Sequence, residues 1–519
     1  MIRVPAFTRQ MQASSVNRDE AILSSPDGQI VVNGPWCGEL AARINGRRTR
    51  FDIVCEIGSG TERFEVLDAL LRLEECGLLV DAAPQPLDPS AVEIASPACA
   101  QPDDARLLAL ADPRTGLVAR PQRRQTAGDF LHVFWTPQPM PAASERRVGD
   151  AMRVAVGTGP SEEEATISCI AEAVERYCLC FDGTERVVHC RAGELDGPAV
   201  GSSQLLLISD RQYADRERLN REGGGDLWLP ERPDEGRPMD WTPVWSLSRL
   251  EKWYVPAAYC LLRYPAGLES FGGDSNGCAA GRTLKDAIVR GFCELVERDA
   301  VALWWYNRVP RPALDVLEAG GELARGLSLR LTEAGRTLHL LDLTTDLGLP
   351  VVSAISARRD GTAVAFGFGA GLQLARAARR ALLEMQQVLG VVESPERGEW
   401  MNRWIQAASV DRDAWLSPDP QAIPLARDIA SDGAADGAAD GDSGLSRCVE
   451  IVRRSGLEML VANLTRPGVD VPVVRVMVPG LRPAFPRFAP GRLYDVPCAL
   501  GWRERPLSEG DLNPFPFFL

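Results

Sequence analysis

From Leu284 to Pro310 the chain contains no proline and one glycine, Gly291, while Ile288, Phe292, Leu295, Val296 and Leu303 recur at helical spacing. This predicts a long helix. On a 3.6-residue wheel those five residues share one side. Glu294 and Glu297 lie on the other, flanked by Arg290, Arg298, Ala287 and Gly291. A solvated face would be equally charged, but it would not need residues small enough to let something approach the backbone. The same wheel recurs in ATISCIAEAVE (165–175) and AARRALLEMQQ (377–387). Aligned on the central glutamate (Glu172, Glu294, Glu384), each helix has Ala seven residues before it (Ala165, Ala287, Ala377). Ser168, Arg290 or Arg380 stands four before, and a small residue (Cys169, Gly291, Ala381) three before. Glu175, Glu297 or Gln387 follows three after. Residues three and four apart share a face, so each helix presents a short acidic column. Three columns point to one shared centre; three independent surface helices are the competing reading.

Around these helices the pattern is strand-like in HVFW, VAVG, LLLISD, WYVPAAYCLL, VVSAIS and AVAFGFG. The fold class is therefore α+β, with helices packed on mixed or antiparallel sheets. Residues 1–27 read as an N-terminal extension. Residues 28–83 read as a small unit in which IVVNGP and RTRFDIVCEIGSG precede a helix striped by Phe64, Val66, Leu67, Leu70, Leu71 and Leu73, with Gly77 as its stop. Residues 84–128 begin in a Pro/Ala/Asp-rich stretch and serve as a linker, and 129–519 form the large domain. Glu222–Asp226 is expected to be a mobile loop. Ser431–Gly444 is too acidic and glycine-rich to pack, and it lacks the closing Glu of a calcium loop. The terminal Pro514-Phe515-Pro516-Phe517-Phe518-Leu519 is stiff and aromatic, and is expected to tuck back into the domain rather than dangle.

Composition narrows the classes. The 519 residues are 45% hydrophobic and 25% charged, ordinary for a globular protein of two or three domains. A net charge of −14 argues against nucleic acid as partner. No apolar run approaches the ~18 residues of a membrane span, and MIRVPAFTRQMQ lacks a signal-peptide centre, so no membrane association and a cytoplasmic location are expected. Thirteen cysteines with three histidines and no CxxC pair argue against zinc and against a Cys-His hydrolase; the thiols read as small core residues.

Carboxylates close together raise one another's pKa or repel unless a cation joins them. Hard oxygen ligands suit Mg²⁺, which completes its shell with water and phosphate oxygens, and Arg290, Arg298 and Arg380 would meet the phosphate charge. The implied occupant is a magnesium-bound nucleotide. The strings SEEEATISCIAEAVERY, SNGCAAGRTLKDAIVRGFCELVERDAVALWW, ARAARRALLEMQQ and VPGLRPAFPRFAPGRLYDVPCALGW, with the ending NPFPFFL, occur in the order found in the YcaO superfamily. The chain from about Asp129 onward resembles that family, and within it the azoline-forming cyclodehydratases of ribosomally made, thiazole/oxazole-modified peptides. The resemblance implies that Glu172, Glu175, Glu294 and Glu297 hold Mg²⁺ on ATP, with Arg298, Glu384 and Gln387 near the nucleotide. Ser161 has the place of an N-cap whose neighbouring N–H groups could face phosphate, or of a plain cap. Two departures stand out. Gly157-Thr158-Gly159 replaces a Gly-Lys-Gly, and Ala280-Gly281-Arg282 replaces an Ala-Gly-Asn, so Arg282 is a candidate replacement for the lost charge. Asp286 lies near the position of another family acid.

The resemblance further implies removal of water from a Cys, Ser or Thr and the preceding amide, after ATP phosphorylates the amide oxygen. Arg298 then meets charge on the transferred group, and Pro514, Pro516 and Leu519 lie close to the chemistry, with the Leu519 carboxylate a candidate base. Thioamide or macroamidine formation, and a non-catalytic ATP-bound scaffold, are the alternatives. Expected partners are a leader-bearing precursor peptide, which the winged-helix-like unit would take by strand addition or in whose place it would dock another protein, and a separate ubiquitin-activating-like (ThiF-like) protein. A homodimer is allowed.

Overall fold

The structure is a computed structural model. It describes residues 5–517 except 8–11, 26–27, 45–47, 49, 58–61, 77, 82–103, 112–116, 125–130, 140–153, 184, 224–227, 235, 266–273, 395–397, 429–441, 467–468 and 470.

The chain opens with β1 (Pro5–Phe7), β2 (Gln12–Asn17), β3 (Glu20–Ser25) and β4 (Gly28–Asn33). Helices α1 (Cys37–Arg43), α2 (Arg50–Ile57) and α3 (Glu62–Glu75) and strand β5 (Leu79–Asp81) follow. β2, β3 and β4 form an antiparallel meander, and β1 pairs with β5. Helix α3 buries its expected stripe, Phe64, Val66, Leu67, Leu70, Leu71 and Leu73. Three helices with two small sheets make up this N-terminal region, which starts earlier than expected. The stretch before residue 28 is not an extension: it supplies β1–β3, because neither β4 nor β5 satisfies its backbone groups without a partner strand. The Phe64 ring meets Trp245 edge-on, 6.3 Å between centroids, and joins this unit to the large domain.

The large domain also begins before residue 129. After α4 (Asp104–Ala109), β6 (Gln122–Arg124) pairs with β7 (His132–Pro137), which pairs with β8 (Val154–Gly159), so the later part of the expected linker is already sheet. Next come α5 (Glu162–Leu179), β9 (Val188–Cys190), α6 (Ser202–Leu206), α7 (Asp210–Ala214), α8 (Arg216–Gly223), β10 (Met239–Ser246), β11 (Glu251–Pro256), α9 (Ala257–Cys260) and β12 (Cys278–Ala280). The long helix α10 (Leu284–Asn307) leads to β13 (Ala313–Leu314), α11 (Val316–Glu333), β14 (Arg336–Asp342), β15 (Val351–Arg358) and β16 (Ala365–Ala370). The chain ends with α12 (Leu374–Val392), α13 (Glu399–Ala407), α14 (Asp442–Arg454), β17 (Leu460–Asn463), β18 (Val473–Met477) and α15 (Arg492–Ala499). LLLISD is not a strand. Leu207 turns left-handed (φ 52°) to end α6, and Ser209 caps α7 by accepting the Gln212 N–H, a Ser-x-x-Gln signal that outweighs the apolar run. WYVPAAYCLL is strand only as far as Pro256. Ser431–Gly444 and the Glu222–Asp226 loop lie mostly outside the described residues.

The ladders between the described strands are all antiparallel, in sheets ordered β6-β7-β8, β13-β14-β15-β16 and β11-β10-β17-β18-β12, with β9 beside β10. Helix α5 lies on β7 and β8, α12 on β15 and β16, and α10 on β12 and β18. Trp304 and Trp305 near the end of α10 are fully buried among Phe366, Phe368, Trp404 and Trp415. The tail tucks back into this aromatic cluster: Phe517 is buried edge-on to Trp305, and the Trp305 indole N–H donates to the Phe515 carbonyl at 2.7 Å. The described cysteines are free thiols, most of them buried. Among the described residues no helix is long and apolar enough to cross a membrane.

Candidate active site

Each acidic helix is the second half of a strand–turn–helix unit, and the small residues noted in the sequence serve that packing. A Cβ on Gly157 of β8 would sit 2.0 Å from the Cys169 nitrogen and 2.2 Å from the Ala165 carbonyl. One on Gly367 of β16 would sit 2.0 Å from the Met385 nitrogen and 2.5 Å from the Ala381 carbonyl. The small positions seven and three residues before each glutamate therefore admit the adjoining strand, not a ligand. With the helix pressed onto the strand, the glutamate reaches a backbone N–H of the strand or of the turn beside it. Glu172 accepts from Val156 N–H at 2.7 Å, Glu175 from Ala280 N–H at 2.7 Å, Glu294 from the Gly277 N–H, and Glu384 from the Phe368 N–H.

Three units of this kind surround one polar cavity of about 720 Å³. Its walls carry Glu172 and Glu175 from α5, Arg290, Glu294 and Arg298 from α10, Arg379 and Arg380 from α12, and Thr158, Ser275 and Arg282 from loops and strand ends. Burial, with Glu294 and Glu172 nearby, pushes the Glu175 carboxyl up to about 8. Burial pushes Glu294 and Glu384 up to about 7, against the opposing pull of Arg298. Glu172 is raised for the same reason, although its ion pair with Arg176 and the Val156 N–H oppose the rise. Loss of water around the carboxylates is the largest cause of the rise in each case.

Of the residues singled out from sequence, Thr158, Ser168, Glu172, Glu175, Arg282, Arg290, Glu294, Arg298 and Arg380 line the cavity. Glu297 and Glu384 stand just behind it. Glu297 is buried 3.8 Å from Arg298, whose ion pair with Glu294 is 3.9 Å, and Glu384 acts on both Glu297 and Arg298. The others are not on its walls. Ser161 is occupied in capping α5 through the Glu164 N–H at 3.2 Å. Asp286 is buried, holding the Arg282 N–H at 3.0 Å and Arg290 at 2.8 Å, so it positions two lining arginines. Gln387 is exposed one turn beyond Glu384. Pro514 and Pro516 line a different cavity, and Leu519 lies outside the described residues. The tail still approaches the glutamates indirectly, since the Phe517 ring stacks 5.7 Å from Phe368, whose N–H holds Glu384. Sequence reasoning missed Arg176 and Arg379. The first was readable as the i+4 partner of Glu172; the second reaches across to Glu164 at 2.6 Å, a pairing between distant segments.

Among the described residues no three of His, Cys, Asp and Glu gather into a metal site made by protein ligands alone. The donor set nevertheless fits a magnesium-bound polyphosphate. The glutamates supply hard oxygens with raised proton affinity, six arginines from three helices and the 282 turn line the cavity, and the Arg298 Nη1 is buried without a protein hydrogen-bond acceptor among the described residues.

A family model described as YcaO cyclodehydratase, ATP- and Mg²⁺-binding, matches residues 156–482. An uncharacterised protein of Methanothermobacter thermautotrophicus is 29% identical over 345 residues, 64% of this chain and 82% of its own length. The solved structure of a heterocyclase in complex with substrate and cofactor is similar with a TM-score of 0.72 at 23% identity, covering 99% of this chain and 100% of that one. The heterocyclase TruD is similar with a TM-score of 0.61 at 25% identity over 100% of both chains.

Proposed function

Since the chain belongs to the YcaO family, we propose that it is an ATP-dependent cyclodehydratase that turns Cys, Ser or Thr of a ribosomally made precursor peptide into thiazolines or oxazolines. The observation that carries this reading is the convergence of carboxylates and arginines from three sequence-distant helices on one polar cavity. Glu172, Glu175 and Glu294 would hold Mg²⁺ from the cavity wall, with Glu297 reaching it from just behind, and Arg282, Arg290 and Arg380 would neutralise the polyphosphate. Bound ATP supplies the phosphoryl group that lets the amide oxygen leave as phosphate. Overall, the thiol or hydroxyl hydrogen and the amide hydrogen depart as protons, the carbonyl oxygen departs in phosphate, and one C–S or C–O bond and one C=N bond replace the C=O. Arg298, held between Glu294 and Glu297, meets charge developing on the transferred group. Thr158 stands where relatives carry lysine, which left a scaffold role open; Arg282 on the cavity wall supplies a cation there and favours catalysis.

The test supplies purified protein with ATP, Mg²⁺ and a leader-bearing peptide, with and without a ubiquitin-activating-like partner. Loss of one water mass per ring is expected, faster with the partner. Replacing both Glu294 and Glu297 by Gln should abolish it, whereas ring formation at the parental rate would favour the scaffold. Replacement of oxygen by sulfur would mark a thioamide synthase.

A further inference from the structure

Arg298 lines a second, smaller cavity as well, on the side of α10 away from the glutamates. The two cavities adjoin at Arg298 and along neighbouring residues of the chain. In the Asp274–Asn276 turn, Ser275 lines the large cavity while Asp274 and Asn276 line the small one, and Glu294 and Leu295 divide in the same way. The small cavity measures about 50 Å³. Against about 720 Å³ for the large cavity, that leaves room for a small polar group but not for a nucleotide. Two guanidinium groups on its walls, Arg298 and Arg482, each have a buried nitrogen with no protein hydrogen-bond acceptor among the described residues, Nη1 and Nε respectively. Arg482 is otherwise rigidly held: it donates to the carbonyls of Ala489 at 2.6 Å and Pro490 at 2.7 Å, and its backbone N–H donates to Asp299 at 2.9 Å. Buried donors kept in place without an acceptor suit an oxygen that arrives with the substrate.

We propose that this small cavity is the acceptor pocket, which receives the carbonyl oxygen of the peptide amide to be activated, with Arg298 and Arg482 as its donors. The proposal rests on the nucleotide reading of the larger cavity. As the thiol or hydroxyl adds to the carbonyl carbon, the C=O pair moves onto oxygen. The nucleophile's proton passes to Asp274, a carboxylate on the same walls that Arg475 holds at 2.7 Å. The charged oxygen then lies against Arg298, which lines both cavities, at the side from which bound ATP would supply the phosphoryl group that carries this oxygen away as phosphate. Burial lowers the Arg482 pKa to about 10, so the group remains cationic at neutral pH.

The experiment compares Arg482→Gln, Arg482→Lys and the cavity-filling Leu205→Phe with the parent. Thermal midpoint, Mg-ATP affinity, and kcat and KM for peptide are measured with the partner present. Folded Arg482→Gln should bind Mg-ATP within twofold of the parent and lose about a hundredfold in kcat with little change in peptide KM, and Arg482→Lys should recover part of that loss. A merely structural role would lower midpoint, nucleotide affinity and kcat together. Leu205→Phe should raise peptide KM at least tenfold with nucleotide affinity unchanged, and it decides the matter if Arg482→Gln does not fold. Parental kcat in folded Arg482→Gln, or parental KM and kcat in Leu205→Phe, overturns the pocket. A parent that neither binds Mg-ATP nor removes water sinks the cyclodehydratase reading itself.

Discussion

Glu175→Gln should stabilise the nucleotide-free protein while removing its response to Mg-ATP. The carboxylate accepts the Ala280 N–H at 2.7 Å, and burial first, with Glu294 and Glu172 nearby in the cavity adding to it, raises it from 4.5 to about 8. A carboxyl whose folded pKa exceeds its unfolded value stabilises the fold below the unfolded pKa, and that contribution is lost as pH rises through the folded pKa. The parent should therefore lose stability as pH rises from about 4.5 to about 8. At about pH 7.5 the three units above the ordinary value set a ceiling of about 4 kcal/mol at 1.36 kcal/mol per unit. Because the cavity admits water to this half-buried side chain, roughly 1–3 kcal/mol is expected. Glutamine keeps an acceptor for Ala280, carries no charge, and turns an amide N–H toward its acidic neighbours. Denaturant titrations of parent and variant at about pH 5.5 and 7.5, each with and without Mg-ATP, read both effects. The variant should be the more stable at the higher pH, with a flatter pH slope. Ligand at a hundred times its Kd should add about 2.7 kcal/mol to the parent alone. A variant less stable than the parent at pH 7.5 without nucleotide, or one stabilised by Mg-ATP as the parent is, refutes the reasoning.

Further expectations are structural. Phe517→Ala empties a place among Trp305, Phe366 and Phe368 and should cost about 3–5 kcal/mol by urea unfolding. Arg492→Ala strands the fully buried Asp299, to which Arg492 donates at 2.6 Å, and should cost about 3–5 kcal/mol; Asp299→Asn in the same background should restore part of it. Gly367→Ala must push α12 off β16, since its Cβ would lie 2.0 Å from a backbone nitrogen, and should cost at least about 3 kcal/mol and weaken Mg-ATP binding.

Helical periodicity, together with three copies of one spacing, determined a good deal from the chain alone: α5, α10 and α12, their acidic columns, and the glutamates and arginines that meet at the cavity were readable because side chains three and four apart on a helix share a face wherever it is placed. Local pattern also gave the stripe of α3 and the inward tail. It could not give the reason for the small residues, because which backbone presses on Ala165 or Ala381 depends on the β8 and β16 ladders. Nor could it assign residues before 28 to a sheet, since β1 finds its partner more than seventy residues away at β5. Asp286 and Gln387 match the spacing of site residues as well as Glu384 does, yet one turns inward to hold arginines and the other faces solvent. The small cavity behind Arg298 was beyond reach for the same reason: its walls come from residues 205, 274, 298 and 482, and only the packing of α10 between sheets brings those guanidinium groups to one wall.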